Sequence, residues 1–246
     1  MGLMTAILLL GAVGAQEPTK YVHEPFADYQ LRTPHGFKVY LSYAARLNPV
    51  TTQPAYEMLE FKLEEIAKMV PGKALKTLRT VPIFIEHMAP DHPCACYHPN
   101  KDWLKEHGFI PEKWRSVEIS NGRNFVDWSR RAQPMMVLHE LAHGLHDIQF
   151  GYDDKYVAQC HRLAVLSGKY ESVEHVDGTK KKHYGLNNPM EFFAESTEAY
   201  FGRNDFFPYT RAQLKEFDPA AYEMVEKLWG IEAKPNTMSR AERLER

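Results

Sequence analysis

Residues 134–150 read PMMVLHELAHGLHDIQF, and His139, Glu140 and His143 are the polar residues inside its apolar part. Pro134 suits the first turn of a helix and Gly151 suits its end. On such a helix His139 and His143 stand one turn apart and about 40° apart around the axis. Both imidazoles can then face one metal ion. Glu140 lies about 100° round from His139. It is badly placed to chelate with the pair but can reach a water beside the metal, as a general base would. Met136, Val137, Leu138, Leu141, Ala142 and Leu145 predict a buried helix, and Ala142 and Gly144 leave room for close packing.

Metal-dependent hydrolases of this geometry take three protein ligands and keep a fourth position for water. A His ten positions after His139 is missing, since Gln149 stands there, and Gly178-Thr179 is followed by Lys180 rather than Asp. The remaining source is a Glu on a later helix. Pro189 opens one through about Tyr200, and it carries Glu191 and Glu195 four apart on one face. Phe192, Phe193 and Ala194 predict its burial. Two buried carboxylates need positive compensation, which a dication and its imidazole ligands supply. Glu191 is expected to ligate, and Glu195 to accept the other N–H of a ligand His and fix its tautomer. Glu198, reckoned about 60° round from Glu191, is left outside the site. His161, His175 and His183 are weaker substitutes for Glu191.

The motif at 139–143 followed by Glu191 resembles the gluzincin zinc metallopeptidases. The run from Tyr184 to Glu195, YGLNNPMEFFAE, is similar to the catalytic domain of anthrax lethal factor and its relatives. The resemblance covers residues 134–201. It implies a zincin-like fold, one Zn2+ held by His139, His143 and Glu191, Glu140 as general base, and Glu195 as the outer carboxylate. It also implies that Tyr184 supplies a phenol to the developing oxyanion or the leaving amine. The long Lys-rich stretch between His143 and Glu191 departs from that pattern, and no docking domain for a toxin substrate is visible. Lethal-factor substrate choice therefore does not transfer.

Outward from the motif, the chain of 246 residues reads as α+β, with a small mixed sheet followed by the motif helix and a second glutamate-bearing helix. Residues 36–45, 80–86 and 116–120 read as strands and Thr51–Val70 as an amphipathic helix. Residues 90–100, rich in Pro, Cys and His, read as an ordered loop. Tyr156–Ser167 is a helix closed by Gly168, residues 170–188 a long loop or hairpin, and Ala220–Leu228 a last helix. Residues 116–121 are either the strand bordering the cleft, able to accept an extended peptide, or an ordinary core strand. Trp103, Trp114 and Trp128 read as packing residues. His146 and Asp147 read as the polar end of the motif helix.

Residues 1–15 are uncharged, with an apolar run and small residues before Gln16. They resemble a secretory signal, although the usual basic residue is missing. Residues 16–246 are then one domain, mostly sheet plus one helix to residue 133 and mostly helical beyond, exported to the periplasm or outside the cell. In that setting Cys94, Cys96 and Cys160 allow one disulfide and one free thiol. Lys and Arg number 30 against 32 Asp and Glu, so no basic surplus points to nucleic acid. No stretch is long and apolar enough to span a membrane. The expected partner is a peptide or protein substrate. The rival readings are an inactive zinc-binding protein of the same fold and a zinc hydrolase of a non-peptide bond.

Overall fold

Short apolar runs that alternate faces need a helical layer to cover them, and the N-terminal half of the chain supplies both. The computed structural model describes residues 23–90 and 92–231, so the signal expected at 1–15 lies outside the described residues. In chain order the elements are β1 Gln30–Arg32, β2 Val39–Leu41, α1 Tyr43–Leu47, α2 Pro49–Met69, α3 Gly72–Leu78, β3 Ile83–Ile85, β4 Ala95–Tyr97, α4 Lys101–Glu106, β5 Val117–Ile119 and α5 Gly122–Arg131. Then follow α6 Met136–Leu145, α7 Lys155–Ser167, β6 Val173–Glu174, β7 Lys180–Lys181, α8 Pro189–Phe201, α9 Arg211–Phe217 and α10 Pro219–Trp229. The architecture is α+β.

The main sheet runs β1-β2-β3-β5-β4. Its two outer pairs are antiparallel and its inner pairs, β2–β3 and β3–β5, are parallel. Val39, Leu41, Ile83, Ile85, Val117 and Ile119 are buried in one core with Leu59, Leu63 and Ile66 of α2 and Leu138 and Leu141 of α6. The helix expected at 51–70 corresponds to α2, and β3 occupies residues 83–85 of the strand expected at 80–86.

Four expectations need correction. The loop at 90–100 contains β4, the edge strand, and β5 is interior between β3 and β4, so β5 cannot take an added strand. Residues 36–45 yield only three strand residues, because the Ser42 hydroxyl accepts the Ala45 N–H at 3.1 Å and starts α1. The half expected to be sheet with one helix holds α1 to α5. No disulfide forms, since the thiols of Cys94 and Cys160 are free.

The second face of the sheet carries charge. Lys113, fully buried, places its ammonium 2.7 Å from Glu86 and 2.8 Å from Glu118. Glu118 also meets His98 Nε2 at 3.0 Å and accepts the Ser120 hydroxyl at 3.1 Å. Burial pushes the Glu118 carboxyl up, but His98 and Lys113 outweigh it and bring its pKa to about 2. Burial dominates at Glu86, whose pKa is raised. Lys113→Met leaves two buried carboxylates without their cation, at a cost of about 3–5 kcal/mol at pH 7. A depressed carboxylate contributes stability that is complete above about 4.3 and lost as pH falls towards its folded value. The gap between variant and parent should therefore narrow on acidification through about pH 4.3 towards about 2. Urea unfolding across pH checks this, and equal stability at pH 7 would refute it.

Candidate metal centre

The helix α6 forms where the apolar stripe predicts it. Leu138, Leu141, Ala142 and Leu145 are fully buried. Its continuation, His146–Phe150, widens to a π turn, and Gly151 at φ +80° ends it. Gly144 permits a close approach. A Cβ there would stand 2.9 Å from Val81 Cγ2 and 3.3 Å from the Tyr97 ring. The helix α8 begins at Pro189, and the Asn188 side chain accepts the Glu191 N–H at 2.8 Å. That cap sets Glu191 in the first turn, where the helix dipole favours a carboxylate.

Packing α6 against α8 brings three side chains to one point. Glu191 Oε2 lies 3.1 Å from His139 Nε2 and 3.4 Å from His143 Nε2. The imidazoles are edge-on, with centroids 4.8 Å apart. Donors bound tetrahedrally at about 2.0–2.1 Å from zinc stand roughly 3.3–3.4 Å from one another. The observed separations are close to that edge length, and the donor set of two imidazoles and a carboxylate suits zinc. The chain thus carries a His/Glu cluster able to coordinate a metal ion.

His139 has a second anchor, and it is Glu198 rather than Glu195. Glu198 Oε1 lies 2.7 Å from His139 Nδ1, whereas Glu195 Oε1 lies 3.9 Å away. Seven residues turn a helix by about 700°, only 20° short of two turns. Glu198 therefore shares Glu191's face, and the offset expected from the sequence is too large. With a metal on Nε2, Nδ1 would carry the proton and donate it to Glu198. Glu195 accepts from Asn204 Nδ2 at 3.0 Å instead. His143 has no such anchor among the described residues, where its buried Nδ1 meets no hydrogen-bond partner.

The electrostatics describe carboxylates that need a cation. Burial opposes charge on His139, yet Glu191 and Glu198 hold its pKa well above the ordinary imidazole value. Burial likewise opposes charge on Glu191, but His139 and His143 draw its pKa far down. Glu195 and Glu198, starved of solvent, are both raised. Glu198→Gln should loosen the His139 tautomer and weaken metal binding about 10–100-fold. Competition with a chromogenic chelator measures this, and unchanged affinity would remove Glu198 from the centre.

These residues line an open cleft of about 480 Å³. Glu140 and Tyr184 are on its wall, and residues 92–97 form the opposite side. Tyr184, in a short turn just before α8, is 46% exposed. Of the substitutes considered for Glu191, His183 is buried and pushed down to about 3 by loss of solvent. Its Nδ1 accepts the Gly185 N–H at 3.0 Å. His175 faces Asp177 at 3.0 Å, and His161 lies 3.3 Å from the Leu186 carbonyl.

The end of the metal helix is not merely polar. His146 is fully buried, between Tyr152 and Phe193. Asp147 accepts the Tyr97 hydroxyl at 2.8 Å and pairs with Arg115 at 2.9 and 3.0 Å. It ties β4 to α6, the helix that carries His139 and His143. No family model, curated protein or solved structure matches the chain.

Proposed function

We propose that this chain is a zinc-dependent metallopeptidase of zincin-like fold, its domain spanning residues 16–246 and exported by the segment at 1–15. The observation that carries the reading is the meeting of His139, His143 and Glu191 at 3.1 and 3.4 Å in a cleft that also holds Glu140. Zinc bound there supplies a Lewis acid and shifts the pKa of water towards neutrality.

The chain's own groups do the rest. The Glu140 carboxylate takes a proton from the attacking water and returns it to the leaving nitrogen. The Tyr184 hydroxyl donates where charge develops on the carbonyl oxygen. Burial and the nearby Glu191 raise its pKa, so the phenol keeps its proton at neutral pH. The Glu198 carboxylate holds the His139 ring in one tautomer.

The strand beside the cleft is β4. The Cys94 carbonyl accepts the Ser120 N–H at 2.8 Å, and the His98 N–H donates to Ser116 at 2.9 Å. Cys96 is paired with Glu118. Ladder alternation then turns the N–H and C=O groups of Ala95 and Tyr97 outward, away from β5. An extended peptide can add there as a further strand and be held across the cleft.

Metal analysis of the purified protein, with digestion of casein and a peptide library with and without chelator, tests the proposal. Stoichiometric zinc and chelator-sensitive cleavage are expected. Zinc without any cleavage would identify an inactive binding protein instead. Tyr184→Phe should lower kcat about 10²–10³-fold with the metal retained. Unchanged kcat would leave Tyr184 a packing residue.

A further inference from the structure

A second cavity, of about 370 Å³, opens on the far face of β4. It shares His92, Cys96 and Tyr97 with the metal cleft, so the two spaces meet at this edge strand. Its walls include Cys96, His98, Pro99 and Trp103, and Glu118 and Ser120 also line it. Trp103 is 40% exposed and stacks on His107 with centroids 4.0 Å apart.

Strand geometry connects this cavity to the bound peptide. Directly paired residues on neighbouring strands place their side chains on the same face. Cys96 is paired with Glu118, so both lie on the charged face of the sheet, opposite the metal helix. A peptide residue pairing with Cys96 across the open edge must send its side chain to that face. Its two neighbours in the peptide must send theirs towards α6. One substrate position, and not the adjacent ones, is therefore delivered to the second cavity.

The lining selects the chemistry. Glu118 is already claimed by Lys113 at 2.8 Å, His98 at 3.0 Å and Ser120 at 3.1 Å. The Asn100 side-chain oxygen is taken up capping α4, which leaves the Trp103 indole, the Pro99 ring, the Cys96 thiol, Tyr97 and the imidazoles of His92 and His98 as the rest of the lining. Resting on the peptidase reading above, we infer that this cavity is a specificity pocket for a large apolar, preferably aromatic, side chain of the substrate residue paired with Cys96.

The experiment takes a cleaved library peptide and places Phe or Gly at each position in turn. A single position should favour Phe over Gly by about 10-fold or more, the scale of filling an apolar pocket. Trp103→Ala, which removes a wall, and Cys96→Trp, which fills the cavity, should each bring that ratio near unity. Binding of the same peptides to Glu140→Gln protein, read by fluorescence anisotropy, needs no turnover. Cleavage with a Phe/Gly ratio that both variants leave unchanged would overturn the pocket while keeping the peptidase. Phe-dependent binding that Trp103→Ala abolishes, in a protein that cleaves nothing, would keep the pocket and overturn the peptidase. Neither cleavage nor Phe-dependent binding would overturn both.

Discussion

On the proposed peptidase reading, Glu140→Gln should lower peptide hydrolysis about 10²–10⁴-fold, the range for loss of a positioned general base, while bound metal should stay at the parent level. The two halves of this expectation have separate causes. Glu140 follows His139 on α6 and is rotated away from the face that carries His139 and His143, so it stands outside the His139, His143 and Glu191 cluster. Replacing it removes no donor from the metal. It does line the cleft with His139, His143 and Glu191, where a carboxylate can take a proton that an amide cannot. Gln keeps the size and the helix propensity of Glu, so the fold is not the variable. The checks are kcat on a cleaved peptide and metal content by elemental analysis. Full activity would remove Glu140 as base, and loss of metal would make it a structural contributor to the centre.

Glu191→Gln should weaken zinc binding by more than about 100-fold, exceeding the loss expected from an outer partner such as Glu198. Among the described residues Glu191 is the one carboxylate that meets both imidazoles, at 3.1 and 3.4 Å. It supplies the anionic donor of the cluster, and it is placed by the Asn188 cap before any metal arrives. The substitution keeps that cap, because the backbone N–H is unchanged. It also changes proton linkage. A raised His139 pKa means that zinc must displace protons, so affinity falls as pH drops through that pKa. With Glu191 neutralised, His139 keeps Glu198 and the nearby Glu140 but loses one of the carboxylates that raise it, and fewer protons are released on binding. Calorimetry in two buffers of different ionisation enthalpy measures that number. Wild-type affinity with wild-type proton release would show that Glu191 is no ligand.

Much of the centre is legible one element at a time. The apolar stripe of α6, the proline and glycine at its ends, and the asparagine-proline start of α8 are local signals that local physics obeys. Glu198 was legible too, because its seven-residue spacing from Glu191 places it on the same face; helix arithmetic carried through would have included it. Asp147 carried no comparable signal. A carboxylate at a helix end is ordinarily solvated, and only the approach of Tyr97 and Arg115 from the sheet gives it a task.

The amino-acid sequence by itself determined that α2, α6, α7, α8 and α10 form, that the apolar stripes of α2, α6 and α8 are buried, and that two imidazoles and a carboxylate would be available to one ion. These follow from periodicity and capping within a dozen residues. The tertiary structure alone decided that β4 rather than β5 borders the cleft, that Lys113 sits between two buried carboxylates, and that Trp103 flanks a cavity. A three-residue strand between prolines has no periodicity to detect. Its ladder partners are 20 to 24 residues downstream, and its place at the edge is settled only when the whole sheet has been ordered.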